Sequence, residues 1–417
     1  MTLIQISALV LGLITVIGWL NARFLRLSPS VAMLGAGMAG ALVLLVGQIL
    51  IRPFWGFNDV GALVRRLDFT DTVIDGMLGF LLFAGGLQVD LAEIRKRRIA
   101  IWTLATVGVL ASTAIVGLGL WWVARAVGMG LPLAWALAFG ALISPTDPIA
   151  VLGAMRQGVV SRRLGPVLLG EALFNDGVGF VVFTTAAAFA ATGAVPRPLL
   201  MAGTIVLEAG GGLVLGVTAA ALVATALRQI DDAVVEVTAT IALAIGVYVA
   251  AGLLHLSGPI AAAAAGLWMG GVGVRASRSE QGRRYITVFW DVVDQLLNAA
   301  LFLLLGLQVF VLPFRWSEID LWLTGLGLVL AARLLVVAPW GAFFRIRNEE
   351  RGASLVLTWG GLRGAVSFAL ALSLPQSPYR ETVLSITFFV VVFSIVVQGL
   401  TFAPLARWLR RGGPEAG

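Results

Sequence analysis

Long apolar runs separated by short polar stretches follow one another along the whole chain. A helix needs about 20 apolar residues to cross the hydrocarbon of a bilayer, and most of the runs approach that length. We therefore predict an all-α polytopic membrane protein with 13 transmembrane helices. The predicted segments are 2–21, 31–51, 69–91, 99–127, 131–154, 163–192, 199–226, 235–255, 258–275, 289–313, 320–345, 353–373 and 381–408.

Two of the predicted segments are interrupted by residues that weaken a helix. Ser144–Pro148 interrupts segment 5, and Gly360–Gly364 interrupts segment 12. Prolines remove backbone donors and glycines lower helix propensity, so each stretch is a place where the helix can unwind. Broken segments at corresponding positions of two halves indicate the midplane site of a transporter. With segment 7 as a linker, segments 1–6 and 8–13 start on opposite sides of the membrane, which predicts two inverted six-helix repeats.

Composition supports a membrane protein and excludes several kinds of site. Hydrophobic residues make up 59% of the chain and charged residues only 12%, whereas soluble domains are about one quarter charged. There is no cysteine and a single histidine, His255, so disulfides, thiolate metal sites and multi-histidine metal sites are excluded. No cluster of serine, histidine or metal-ligating residues lies at membrane depth, so we predict neither an enzyme nor a bound cofactor.

The loop charges predict the orientation of the chain. Of the 29 basic residues, 20 lie in the odd-numbered loops and the C-terminal stretch, and 7 lie in or beside the even-numbered loops. Because positive charge accumulates in cytoplasmic loops, the N-terminus is predicted outside and the C-terminus in the cytoplasm. The net charge of +7 therefore reflects topology and predicts no nucleic-acid partner.

Segment 6 carries three polar residues, Glu171, Asn175 and Asp176. An ionisable residue at the centre of a membrane helix costs about 2.5–3.5 kcal/mol on insertion scales and commonly marks an ion pathway. Glu171 and Asn175 share a helix face, whereas Asp176 lies about 100° further round. One carboxylate can thus take a structural partner while the other faces a cavity and holds either H⁺ or a cation. The alternative is a purely structural polar network.

The interruption in segment 5 holds Thr146 and Asp147 between two prolines. An unwound backbone exposes carbonyl oxygens, and hard cations prefer such oxygens together with hydroxyl and carboxylate groups. The alternative is that the prolines only end or kink the helix.

Two arginines, Arg333 and Arg363, lie within predicted segments. A buried guanidinium stays charged and needs a carboxylate partner. We prefer the pairs Glu171–Arg333 and Asp147–Arg363, which leave Asp176 free to titrate, although the reverse assignment of the two arginines remains open. Other carboxylates are interpreted as structural: Glu208 is isolated, and four lie near segment ends, namely Asp71, Asp75, Asp291 and Asp294.

Four long motifs follow one another along the chain, namely S-P-T-D-P-I-A-V-L, G-E-A-L-F-N-D-G-V-G-F-V-V-F, F-W-D-V-V-D-Q-L-L-N-A-A-L-F-L-L-L-G-L-Q and G-G-L-R-G-A-V-S-F-A-L-A-L-S-L-P. Together they resemble the sodium/proton exchangers of the NhaP type, bacterial relatives of the animal plasma-membrane exchangers. The resemblance implies an NhaA-like antiporter fold and a homodimer in the bacterial inner membrane. A dimerisation bundle would comprise 1–98 and 193–315, a core transport bundle 99–192 and 316–411, and a cytoplasmic tail 412–417.

The resemblance also implies roles for individual residues. Asp176 would carry both cation and proton, with Asn175 beside it and Thr146 near the Na⁺. Glu171 would lie opposite Arg333, and Arg363 near the crossing of segments 5 and 12. An Asn-Asp pair resembles the electroneutral branch, which exchanges one cation for one proton by alternating access.

Two positions depart from the family pattern. Ala84 stands where many relatives carry an acidic residue, and Ala172 where some carry serine. The preference among Na⁺, Li⁺ and K⁺ is therefore left open, with a K⁺/H⁺ antiporter as the alternative. A sodium-coupled organic-solute symporter and an ion channel are the competitors from other classes.

Overall fold

The computed structural model describes residues 3–51, 76–156, 158–161, 163–193, 198–274, 280–310, 312, 315, 318–346 and 352–411. The helices in these ranges are α1 (Leu3–Leu20), α2 (Pro29–Ile51), α3 (Leu78–Gln88), α4 (Leu91–Thr103), α5 (Val109–Ala126), α6 (Leu133–Ile143), α7 (Ile149–Arg156), α8 (Gly165–Thr192), α9 (Pro198–Leu227), α10 (Ala233–Leu253), α11 (Gly258–Trp268), α12 (Glu280–Leu307), α13 (Ile319–Ile346), α14 (Ala353–Trp359), α15 (Ala365–Leu372), α16 (Pro378–Phe393) and α17 (Gly399–Arg411).

The described residues form an all-helical structure without strands, which confirms the predicted class. Single π-helical turns at Leu104–Gly108 and Ser394–Gln398 join α4 to α5 and α16 to α17. Nine helical stretches in the described ranges are long and apolar enough to cross a membrane, and α3 and α6 are shorter apolar helices. The count of 13 spans and the inverted repeats stay predictions. Residues 69–75, where segment 3 was predicted to begin, and the predicted tail 412–417 lie outside the described residues.

Both predicted interruptions are present. Helix α6 ends at Ile143 and α7 begins at Ile149, while α14 ends at Trp359 and α15 begins at Ala365. The backbone between the members of each pair is unwound, as expected where proline removes a donor or glycine lowers helix propensity. Each interruption leaves free carbonyl groups at one helix end and free N–H groups at the next.

The helices pack into two groups. The scaffold group contains α1–α3 and α9–α12, in which α2 packs along α12 and α3 along α11. The crossing group contains α4–α8 and α13–α17, in which α6 packs between α5 and α8. Contacts of α8 with α9 and α11, and of α12 with α15, join the two groups. Their predicted roles as dimerisation and transport bundles remain predictions.

Glycine allows the closest helix pairs of the scaffold group to approach. A Cβ atom at Gly306 in α12 would lie 2.5 Å from the carbonyl oxygen of Leu34 in α2. On α3, a Cβ atom at Gly86 would lie 2.6 Å from the carbonyl oxygen of Ala263 in α11. Small residues at such contacts are typical of membrane helices, whose association depends on close backbone packing.

Helix α8 lies inside this assembly. In its most apolar 18-residue window, 83% of the residues are buried in the protein, whereas the corresponding value for α1 is 6%. The polar residues of α8 therefore face other helices and the cavity between them.

Candidate functional site

The two interruptions cross beside α8. The backbone N–H of Asp147 donates to the carbonyl oxygen of Leu362 over 2.8 Å, which makes a single antiparallel bridge between the unwound stretches. The crossing brings four free helix ends to one place within the protein. Free helix ends carry partial charges, positive at N-termini and negative at C-termini.

Asp147 and Arg363 each satisfy one of these helix ends. The Asp147 carboxylate accepts a hydrogen bond of 2.9 Å from the Ile149 N–H at the start of α7. Arg363, with 2% of its surface exposed, donates from Nη1 to the carbonyl oxygens of Ser144 and Pro145 at the end of α6. The contact to Pro145 measures 2.8 Å.

The predicted ion pair between Asp147 and Arg363 is wrong for the described structure, in which no such pair is found. The physical reason is that the helix ends offer both side chains a closer partner of opposite partial charge. Arg363 binds carbonyl oxygens and Asp147 binds a backbone N–H, as helix-end electrostatics favour.

The absence of a side chain at Gly364 leaves space for the Asp147 side chain at the crossing. A Cβ atom at Gly364 would lie 2.5 Å from Asp147 Oδ2 and 3.0 Å from Asp147 Cβ. Because the Asp147 backbone is tied to the Leu362 carbonyl, the unwound strands would have to move apart to accept any side chain at this position.

Replacing Gly364 with Ala is therefore expected to lower the free energy of unfolding by about 1–3 kcal/mol, the usual cost of overpacking. The Cβ of Gly153 in α7 would meet no atom within 4 Å, so Gly153→Ala is the matched control and is expected to be neutral or stabilising. The check is the unfolding midpoint of both variants in one detergent. Equal midpoints for the two variants would contradict the close crossing.

The predicted contact between Glu171 and Arg333 is present. Arg333 Nη2 donates to Glu171 Oε2 over 2.9 Å, and Nη1 donates to Glu171 Oε1. The guanidinium also donates from Nε to the Leu357 carbonyl oxygen over 3.1 Å. Glu171 and Arg333 are 1% and 4% exposed, so this bidentate pair neutralises two charges that would be costly to bury separately.

Asn175 is turned toward the broken segment rather than toward Glu171. Its Nδ2 donates to Thr146 Oγ1 over 2.8 Å, and its Oδ1 lies 3.4 Å from the Thr146 N–H. Both side chains are buried. This pair fixes α8 to the unwound stretch that carries Asp147.

Asp176, the next residue on α8, lines a cavity of about 100 Å³ between the two helix groups. It is only partly buried, and no hydrogen bond or ion pair of its side chain is found in the described structure. A volume of this size holds several water molecules. Within α8, Glu171 and Asn175 therefore have side-chain partners, whereas Asp176 faces the cavity.

The cavity has the character of a cation site. Among the described residues, three carboxylates contribute to its wall, Asp147, Asp176 and Asp294, and none of the described lining residues is a lysine or an arginine. Thr146, Asn298 and Ser367 add hydroxyl and amide groups to an otherwise mostly apolar lining. Among the described residues the carboxylates do not converge into a cluster that could cage a metal ion, so they are distributed around the space.

Two predicted differences from the family pattern have distinct positions. Ala84 is fully buried within α3 and is absent from the cavity lining, whereas its neighbours Leu82 and Gly85 are part of it. Ala172 does line the cavity, at a place where a hydroxyl would add an oxygen ligand. Glu208, on α9, lies away from the cavity and is half-buried.

Asp294 and Asn298 are the cavity residues that the sequence reasoning missed. Segment 10 was predicted to begin at 289, which placed Asp294 near a helix end, but α12 begins at Glu280. Asp294 therefore lies well inside the helix. The available signal was the i,i+4 spacing of Asp294 and Asn298, which puts both on one helix face.

Comparison with known proteins decides the family. The profile of the transmembrane sodium/hydrogen exchanger family matches residues 11–408. The chain belongs to this family. It is 39% identical to the Na⁺/H⁺ antiporter NhaP of Pseudomonas aeruginosa over 417 residues, covering 99% of this chain and 98% of that protein. It is 32% identical to the Na⁺/H⁺ antiporter NhaH of Halobacillus aidingensis, covering 97% of each protein.

The fold of this family member agrees with a solved antiporter structure. The sodium proton antiporter MjNhaP1 of Methanocaldococcus jannaschii at pH 8 superimposes with a TM-score of 0.71 over 98% of each chain, at 20% identity. An electron-microscopy structure of the same antiporter gives a TM-score of 0.74 over 99% of this chain. The family match and the two antiporter relatives confirm the resemblance stated from the motifs, and the structural likeness shows the fold. The protein is therefore a transmembrane member of the Na⁺/H⁺ antiporter family.

Proposed function

We propose that this antiporter exchanges Na⁺ for H⁺ across the bacterial inner membrane by alternating access, with Asp176 as the shared carrier. The observation that carries the proposal is the division of polar groups on α8. Glu171 is paired with Arg333 and Asn175 with Thr146, whereas Asp176 lines the cavity. One carboxylate that binds either a proton or a cation, never both, is sufficient for coupled exchange.

The ligands of the transported cation would come from the crossing. We assign the Na⁺ site to Asp176, Thr146 and Asn175, because a carboxylate, a hydroxyl and an amide oxygen suit a hard monovalent ion. In the present arrangement Thr146 and Asn175 satisfy one another. Their hydrogen bond holds two neutral oxygens beside the carrier, and Glu171, Arg333, Asp147 and Arg363 hold the surrounding backbone.

The cavity is proposed to open toward the cytoplasm. Its lining includes Val89, after the end of α3, and Leu152 in α7. In the sequence these positions precede the basic stretch at Arg95–Arg98 and the arginines that follow α7, which the loop charges predict to be cytoplasmic. Asp176 would therefore load and release ions on the cytoplasmic side in this state.

Access to the other side would require the crossing group to move against the scaffold group. Direct packing between them is limited to a few helix pairs, such as α8 with α11 and α12 with α15.

We further propose that the scaffold group forms a homodimer within the lipid, as the resemblance implies. The exposed apolar faces of α1 and α2 suit either lipid or a second copy.

Electroneutral one-for-one exchange is tested in proteoliposomes that carry a pH gradient. We expect Na⁺ to dissipate the gradient, with Li⁺ or K⁺ as the alternatives to be ranked in the same assay. Clamping the voltage at zero with K⁺ and valinomycin should leave the Na⁺ and Li⁺ rates unchanged, since no net charge crosses. Movement of one net charge is worth about 2.3 kcal/mol per 100 mV, so a voltage-sensitive rate would contradict one-for-one exchange. A requirement for an organic solute would favour the symporter instead.

A further inference from the structure

The scaffold side of the cavity carries one polar pair, Asp294 and Asn298 on α12. Asn298 Nδ2 donates to Asp294 Oδ1 over 2.9 Å, and both residues line the cavity that Asp147 and Asp176 also line. The other described scaffold residues in this lining are apolar or glycine, namely Leu78, Leu81, Leu82, Gly85, Val89 and Leu301. The polar pair is thus confined to one place on an otherwise apolar wall.

The hydrogen bond orients the Asn298 amide. Because Nδ2 points to the Asp294 carboxylate, the amide oxygen Oδ1 lies on the opposite side of the group. Carboxylate and amide oxygens are the ligands that hard cations prefer. None of the described lining residues is basic, so the pair adds oxygen atoms and a carboxylate to a wall that also carries Asp147 and Asp176.

The two sides of the cavity belong to different helix groups. Asp147 and Asp176 lie in the crossing group, whereas α12 packs along α2 and against α3 and α10 in the scaffold group. A movement of one group against the other would therefore change the distance between Asp176 and Asp294. Asp294 would act on a cation at Asp176 only while the cavity opens to the side of the membrane to which it opens in this structure.

We propose that Asp294 and Asn298 form a capture subsite for a hydrated monovalent cation on its way to Asp176. Asn298 would contact the cation through its amide oxygen, and Asp294 would both position that amide and supply charge. The proposal rests on the proposed carrier function of Asp176. It adds that the subsite works from one face of the membrane, so that the apparent KM for Na⁺ is lower on the face where the cavity opens.

The test measures the Na⁺ dependence of exchange from both faces, in right-side-out and everted vesicles prepared from the same cells. Asp294→Asn is expected to raise KM on the cavity face about five- to tenfold, the order expected for one unit charge acting over several ångströms through water. The maximal rate and the KM on the other face should stay near the wild-type values. Asp294→Glu should restore most of the affinity.

Asp291→Asn is the matched control, since Asp291 lies on the same helix but is absent from the cavity lining. It is expected to leave both KM values unchanged. A second variant tests the amide of the same subsite: Asn298→Leu removes the amide oxygen and the donor that holds Asp294, and it should also raise KM on the cavity face. This variant also tests the subsite if Asp294→Asn is poorly inserted into the membrane.

Each of these results either supports the capture subsite or overturns it. Unchanged KM values in Asp294→Asn, equal changes on both faces, or an equal effect of Asp291→Asn would overturn the subsite. A fall in maximal rate on both faces with KM unchanged would indicate a structural role and would also overturn it. Failure of the carrier function is recognised separately, because Asp176→Asn would then still transport.

Discussion

Replacing Glu171 with Gln is expected to destabilise the folded protein by about 3–5 kcal/mol, the usual cost of removing one partner of a buried ion pair. The substitution leaves the Arg333 guanidinium charged inside the protein with the Leu357 carbonyl as a remaining acceptor. Arginine does not lose its proton to escape this cost. The measurement is a denaturant titration of wild type and variant in the same detergent micelles.

Glu381→Gln provides the matched control for this experiment. Glu381 pairs with Arg315 at 3.0 Å, but the two side chains are 51% and 60% exposed, and exposed pairs contribute about 0–1 kcal/mol. Glu381→Gln should therefore unfold close to the wild-type midpoint. A Glu171→Gln protein as stable as wild type would argue against the buried pair.

A double substitution distinguishes the loss of the ion pair from the cost of leaving one buried charge without a partner. Glu171→Leu combined with Arg333→Met removes both charges, and buried pairs replaced by apolar residues of similar volume are often as stable as the original. The double variant is expected to be more stable than Glu171→Gln alone. Such a result would show that Arg333 is tolerated because Glu171 is present.

Replacing Asp176 with Asn is expected to abolish cation-dependent proton transport. The amide keeps the shape of the side chain but cannot gain or lose a proton near neutral pH, so the competition that couples the two ions disappears. In everted vesicles the variant should give no cation-dependent dequenching of a ΔpH dye. Glu208→Gln is the control, because Glu208 is a carboxylate on α9 away from the cavity, and it should transport like wild type.

The helical segments and the crossing could be predicted from the chain because each depends on local composition. Apolar length predicts a span, and the Pro145 and Pro148 pair predicts a break, which the structure has between Ile143 and Ile149. The contact between Glu171 and Arg333 was the preferred one of two possible assignments, since a carboxylate at similar depth is a favourable partner for a buried arginine.

The partner of Arg363 could not be predicted in the same way. Its acceptors are the backbone carbonyl oxygens of Ser144 and Pro145, which every residue possesses and which side-chain pattern does not reveal. Only the three-dimensional crossing shows that α6 ends in front of this guanidinium.

The position of Asp294 was missed for a different reason. The first turns of α12 contain charged residues, including Arg283 and Arg284, so the segment was predicted to begin after them. A helix that continues beyond the apolar run moves Asp294 from a helix end to the wall of the cavity. Apolar length sets the span within the bilayer, but it does not set where a helix begins.

Competition between the proton and the cation for one carboxylate predicts that purified protein releases protons when it binds Na⁺. Na⁺ is added to the protein in weakly buffered detergent solution near neutral pH, and the released protons are followed with a pH-sensitive dye. Wild-type protein is expected to release protons in proportion to the Na⁺ bound, whereas Asp176→Asn should release none. Proton release from Asp176→Asn equal to that of wild type would contradict the competition of Na⁺ and H⁺ for Asp176.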